Sequence, residues 1–521
     1  MVVAAWWLYR QAYGTDVPKI RGLPEAPGAV PFYGHLKALG DDHPTVFEKW
    51  GKQFNWPVMQ ARMGAKRVIV LNSYEAAQDW MVRNASATID RPLFYTFANV
   101  VSTSQGMTIG TSPWDESSIQ RSAPMLDVEA RAVVEDMYAM SGGGQVNIEP
   151  SIFFKRAALN LTLEMCYGTR IESIDSPFFR GMLQVVQNVS SFRSTNNNPQ
   201  DYVPLLRYLP DNGRRQLARE MRETRDGLLD TLLRATEKAL KAGNAKACMS
   251  EGLLNDSTGS KLTKDEIKSI NVSLVSGGFE TLSTTSTARM GMLSTPVGQV
   301  MQARAYEELM SLYDTVEECY EKVVVEEKSP YLVALVREML RFYAAIQLLP
   351  PRQTMKSFIW NDIAIPAGVT VFQNAQAINH DPSFYGPTAS QFIPERWLLT
   401  NQASPSGASP SSYAVDYASL PKNTLFPTAP NKPPYHYSFG AGSRACPAVA
   451  ISNRVLYSIF ARLILLMEIK PGTIKAQGDY IGYNQDTTAQ TFIPQTYHVS
   501  LKKRDGVTDE MLSRLFATTM E

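Results

Sequence analysis

Apolar residues recur at helical spacing over most of this chain. Clear periodic stretches run through residues 129–138, 211–240 and 264–292, and each predicts a helix with one buried face. The period changes in three places. Val58–Met63 and Lys66–Leu71 are short apolar-rich runs flanking Gly64, which predicts a β-hairpin. Residues 359–370 (IWNDIAIPAGVT) return to strand and turn, and 482–501 do so again near the end. An apolar run from 449 to 467 predicts a long buried helix. The expected class is mainly α with small β-sheets.

The two ends of the pattern are irregular. Residues 1–9 (MVVAAWWLY) are apolar, but a membrane-spanning helix needs about 20 such residues, so this stretch cannot cross a bilayer. It predicts the tail of a truncated anchor over 1–17, or an interfacial segment with Trp6, Trp7 and Tyr9 at headgroup level. Pro18, Pro24, Pro27 and Pro31 then forbid helix and predict a stiff extended hinge over 18–34. Residues 35–521 read as one catalytic domain. Within it, 401–434 is rich in Ser, Pro, Ala and Asn without amphipathic period, which predicts a surface insertion.

Composition narrows the chemistry. A chain of 521 residues, 44% hydrophobic and 10% aromatic, can bury a large core. Its net charge of +1 gives no global field for nucleic acid. Cys166, Cys248, Cys319 and Cys446 lie far apart, so they form neither a disulfide framework nor a zinc site. The five histidines are scattered too, which disfavours a histidine-ligated metal.

Cys446 carries the sharpest signal. It lies in Phe439-Gly440-Ala441-Gly442-Ser443-Arg444-Ala445-Cys446-Pro447-Ala448, directly before the long apolar run. At the mouth of a helix a thiol meets peptide N–H groups and the positive end of the macrodipole, and both favour thiolate. Pro447 suits the first helical position. The glycines permit a tight, bulged turn that brings backbone close to a flat ligand. Arg444 would pair with an anionic group on it. A single activated sulfur held this way suits axial ligation of a haem iron. The competing reading is a buried structural cysteine beside a glycine turn.

Three further places stand out. Ser276-Gly277-Gly278-Phe279-Glu280-Thr281 interrupts a helical pattern, and each interior glycine costs about 1 kcal/mol. A local widening that admits a small ligand or waters would explain the glycines, with Glu280 and Thr281 supplying an acid and a hydroxyl there. A glycine kink beside a capping Glu-Thr pair is the alternative. Glu338 and Arg341 are three apart, hence on one helix face as an ion pair, and the apolar surroundings predict burial. Arg352 follows that helix after Pro350-Pro351, and reads either as an anion partner or as an ordinary surface arginine.

Phe439, Gly442, Arg444 and Cys446 resemble the pattern F-x-x-G-x-R-x-C-x-G of the cytochrome P450 haem-thiolate monooxygenases at every position but the last, where Ala448 replaces glycine. That departure is expected to tighten the approach of the following helix. The resemblance covers the chain from about residue 18. It implies an α-rich triangular prism around a buried haem b, with Cys446 as the axial thiolate. Arg444 and Arg352 would meet the haem carboxylates, and Phe439 would pack beside the sulfur. Gly278, Glu280 and Thr281 resemble the family's acid–threonine motif, in which the threonine steadies dioxygen and the acid relays protons. Glu338 and Arg341 resemble the E-x-x-R pair, with Arg396 of Pro394-Glu395-Arg396-Trp397 as third partner and a structural role. Trp114 stands for the tryptophan of a W-x-x-x-R helix, but Ser118 replaces its arginine, and a segment of basic helix is missing after it.

Residues 41–45, 101–106, 108–114, 324–342 and 440–444 are similar to fungal phenylacetate and other small-aromatic hydroxylases. The expected function is therefore insertion of one atom of O2 into a small aromatic, phenylacetate-like or phenolic substrate. Electrons would come from NADPH through a cytochrome P450 reductase at the cytoplasmic face of the endoplasmic reticulum membrane. The guest would be shaped by the loop before Trp114 and by 275–281, 346–349 and 491–493, which are mostly apolar. A haem-thiolate isomerase or dehydratase, and a haem-binding pseudoenzyme, are the alternatives.

Overall fold

The computed structural model describes residues 2–92, 94–96, 116–193, 197–210, 213–255, 262–398 and 436–517, with backbone only for 116–123, 186–190 and 193. Trp114 and the 401–434 insertion lie outside the described residues, as do the 101–106 and 108–114 stretches.

The predicted hairpin forms as β1 (Val58–Met63) and β2 (Lys66–Leu71), paired from Val58↔Leu71 to Met63↔Lys66. Gly64 takes φ +56°, and a Cβ there would come within 2.2 Å of the Tyr202 carbonyl, so a side chain has no room. β3 (Arg352–Gln353) and β6 (Thr370–Gln373) complete a four-stranded sheet in the order β1-β2-β6-β3, with β2 and β6 parallel. Residues 359–370 supply that strand and a separate hairpin, β4 (Phe358–Trp360) with β5 (Ile363–Ile365). Its turn residues Asn361 and Asp362 both have positive φ, as a two-residue hairpin loop requires. The stretch 482–501 is mostly loop. Only its end enters β8 (Val499–Lys503), which pairs with β7 (Met467–Pro471).

The periodic stretches become long helices: Glu116–Met140, Arg214–Lys241 and Lys264–Ser294. The last, here the central helix, opens on a capping box between Thr263 and Glu266. The apolar run becomes the helix Val449–Leu466, here the cysteine-led helix. Among the described residues it is the one helix long and apolar enough to cross a membrane, but 78% of it is buried in protein. Its apolarity serves the core, where Leu456, Phe460 and Leu463 meet Met290 and Leu293 of the central helix and Leu332 and Leu335 of the helix Pro330–Phe342.

The N-terminal tip is the helix Val2–Tyr13, with Trp6, Trp7, Leu8 and Tyr9 exposed. The proline-punctuated segment is free of helix but folds through turns at 21–23 and 31–33, and it lies on the sheet. Val17, Ile20, Leu23 and Ala26 are buried. The Gln60 side chain bonds Ile20 twice, at 2.9 and 2.8 Å, and donates to Leu23 O at 2.7 Å.

Candidate functional site

The segment 439–448 folds as a tight loop closed by Cys446 N–H donating to Phe439 O at 2.8 Å. Gly440 and Gly442 have φ +68° and +66°, and a Cβ on Gly442 would sit 1.8 Å from Met81 O. Backbone there presses directly on backbone. The cysteine-led helix starts at Val449, so Pro447 is two residues ahead of the first helical position rather than on it. Ala448 is the N-cap at φ −91°, a conformation open to any residue, and its methyl packs on the main core. That explains why alanine replaces the family's glycine without strain.

The start of the helix also changes the expected cause of thiolate formation. Cys446 precedes the first turn, and burial pushes its thiol up, opposed by one backbone N–H from Ala448. The helix end does not ionise this sulfur by itself. A bound metal ion does so by charge, since a coordinating thiol is deprotonated outright.

Around the loop three arginines converge without an anion. Arg352 is 3% exposed, donates weakly to Ala441 O at 3.4 Å, and leaves Nε and Nη1 without partners. Arg444 donates to Ile89 O at 3.3 Å. Arg91 donates to Pro350 O and Pro351 O at 3.1 and 3.2 Å. Burial first, then repulsion from Arg91 and Arg444, lowers Arg352 to about 9. Among the described residues no acidic side chain ion-pairs with any of the three. A buried guanidinium with open donors, flanked by two half-buried cations, calls for a multivalent anion. The two carboxylates of haem b fit that demand, beside a sulfur ligand for its iron. Among the described residues no cluster of His, Cys, Asp and Glu offers a rival metal site.

Arg91 was not legible from sequence. It stands 261 positions before Arg352, and long-range contacts such as the Asp90↔Gln353 bridge bring the two segments together.

Glu280 and Thr281 sit on the central helix, which runs without a break through Gly277 and Gly278. The expected interruption is absent. Gly278 is required by packing, because a Cβ there would meet Thr162 Cγ2 of the helix Ser151–Tyr167 at 2.5 Å. Gly277 has nothing within 4 Å of its Cβ position. The Thr281 hydroxyl donates to Gly277 O at 2.7 Å, and Glu280 Oε2 accepts from Thr491 at 3.4 Å. The two glycines should therefore respond oppositely. Gly277→Ala is expected to stabilise by up to about 1 kcal/mol through helix propensity. Gly278→Ala is expected to destabilise by about 1–3 kcal/mol through overpacking. Paired denaturant titrations would separate them.

Glu338, Arg341 and Arg396 come together as a buried lock. Glu338 and Arg341 are both fully buried and bond bidentately at 2.7 and 2.8 Å. Arg396 Nε donates to Glu338 Oε1 at 3.0 Å. Trp397 Nε1 adds a bond to Oε2 at 2.8 Å and Ile393 N–H one to Oε1 at 2.7 Å, two partners that the sequence reading missed. Arg341 also holds the carbonyls of Asn379, Ala389 and Gln391 at 2.7–2.8 Å. This tethers the helix Pro330–Phe342 to the chain that leads into the cysteine loop.

Comparison with known proteins agrees with this geometry. Residues 24–474 match the family model for cytochrome P450. A phenylacetate 2-hydroxylase of Emericella nidulans is 38% identical over 527 residues, covering 97% of this chain and 95% of the relative. A 3-hydroxyphenylacetate 6-hydroxylase of the same organism is 30% identical over 511 residues, covering 94% and 90%. A cytochrome P450 monooxygenase of Mycosarcoma maydis is 28% identical over 501 residues, covering 92% and 87%. With a family match across most of its length and a 38% identical relative covering 97% of it, the chain belongs to the cytochrome P450 family of haem-thiolate monooxygenases.

Proposed function

We propose that this enzyme hydroxylates a small arylacetate-like or phenolic substrate. The observation that carries the reading is likeness along nearly the whole chain to two hydroxylases of that substrate class. When bound, haem b supplies the dioxygen activation that an unactivated C–H bond requires. Cys446 would hold its iron, with Phe439 beside the loop, while Arg91, Arg352 and Arg444 would hold its carboxylates and Trp114 would add a further contact. One oxygen atom enters the substrate and the other leaves as water. The balance takes two protons, and two electrons from NADPH through a flavoprotein reductase.

The chain's own groups manage the protons. Glu280 offers a carboxylate and Thr281 a hydroxyl one residue on, held against Gly277 O. Proton handling by such a positioned pair is worth about 10²–10⁴-fold. Retention of that pair favours an oxygenase over an isomerase or dehydratase. Glu338, Arg341 and Arg396 act structurally, within a single catalytic domain spanning 35–521. The exposed Trp6, Trp7, Leu8 and Tyr9 suit a membrane surface, which supports residence at the cytoplasmic face of the endoplasmic reticulum.

The test is reconstitution with a fungal reductase and NADPH. Phenylacetate should shift the haem spin state on binding and yield a ring-hydroxylated product. Binding without product in a haem-replete, reducible enzyme would refute the assignment of substrate class.

A further inference from the structure

The turn at 491–493 reaches the acid of the central helix. Thr491 is 5% exposed, and its hydroxyl donates to Glu280 Oε2 at 3.4 Å. One helical turn on, Thr284 donates to Phe492 O at 3.0 Å, and Phe492 N–H donates to Ala345 O at 3.0 Å. The turn is also closed on itself, by Ile493 N–H on Asn484 Oδ1 at 2.9 Å and Gln485 N–H on Ile493 O at 2.6 Å. Phe492 is buried in an apolar cluster with Ala288, Tyr343 and Tyr483. Position 491 is thus fixed from both sides, and its hydroxyl faces Glu280.

We propose that Thr491 is a positioning residue for Glu280, so that the turn at 491–493 aims the carboxylate that moves protons. This rests on the proton-handling role given to Glu280 above. A free carboxylate rotates among several hydrogen-bonding arrangements, and a donor fixed on one oxygen selects among them. The contact is long for an O–H···O bond, and such contacts tighten in the loaded state. An acid aimed in this way favours hydroxylation over wasted reduction of dioxygen.

The test compares Thr491→Val, Thr491→Ser, Glu280→Gln and the Val/Gln double variant in haem-loaded protein with phenylacetate. Thr491→Val should lower the product formed per NADPH consumed by about tenfold, the scale of one lost hydrogen bond to a charged group. Thr491→Ser should restore coupling. Backbone hydrogen exchange over 486–494 should rise in Thr491→Val and in Glu280→Gln, without further rise in the double variant. A Thr491→Val protein with wild-type coupling and exchange overturns the proposal, as does an equal loss of coupling in the Glu280→Gln background. If Glu280→Gln itself leaves coupling intact, the proton role of Glu280 fails. A loss in Glu280→Gln without one in Thr491→Val removes Thr491 alone.

Discussion

Cys446→Ser is expected to abolish the red-shifted band of the reduced, CO-treated protein and to cut hydroxylation about a thousandfold or more, some 4 kcal/mol of transition-state stabilisation. Serine keeps the size of the side chain and leaves the backbone bond from position 446 to Phe439 O intact. The loop should therefore hold its shape. What is lost is a soft, polarisable thiolate, which iron prefers over an alkoxide and which pushes electron density toward O–O cleavage. Arg91, Arg352 and Arg444 are untouched by the change, so the porphyrin should still be taken up, more weakly. Cofactor retention and loss of the thiolate spectrum thus separate in one variant. An unchanged spectrum with unchanged turnover would exclude Cys446 as the ligand and, with it, the proposed chemistry.

Much of this was legible because its causes are local. The hairpin around Gly64 and the helix Val449–Leu466 follow from period, turn residues and apolar runs. Glu338 and Arg341 could be paired because they are one helical turn apart. Failures arise where distant segments decide. Gly278 looked like a ligand gap, but Thr162 of a neighbouring helix sets it. Arg91, Trp397 and Thr491 each act on a group far away in sequence, and no periodicity announces such contacts. The expected cause of ionisation at Cys446, a helix end, is off for a different reason. A local rule about helix ends was applied to a helix that starts three residues later, and burial outweighs the one N–H that reaches the sulfur.

The second large effect concerns the buried lock. Glu338→Ala would leave Arg341 fully buried and Arg396 10% exposed without their shared carboxylate, and strip Trp397 Nε1 of its acceptor. Removing one partner of a buried pair costs about 3–5 kcal/mol, a large part of the roughly 5–15 kcal/mol that holds a domain folded. The carbonyls of Asn379, Ala389 and Gln391 would still take N–H groups from Arg341, which keeps the cost below that of an isolated buried charge. Glu338→Gln, with one acceptor left and no charge, should fall between alanine and wild type. Glu395 is the internal control. It neighbours Arg396 in the chain, but its pair with Arg304 is about half exposed on both sides. Glu395→Gln should change stability by less than about 1 kcal/mol. Thermal unfolding and haem loss, followed together, give the ranking. If Glu338→Ala melted with the wild type, the lock would be incidental, and something other than this ion triad would hold the helix Pro330–Phe342 to the segment 388–397.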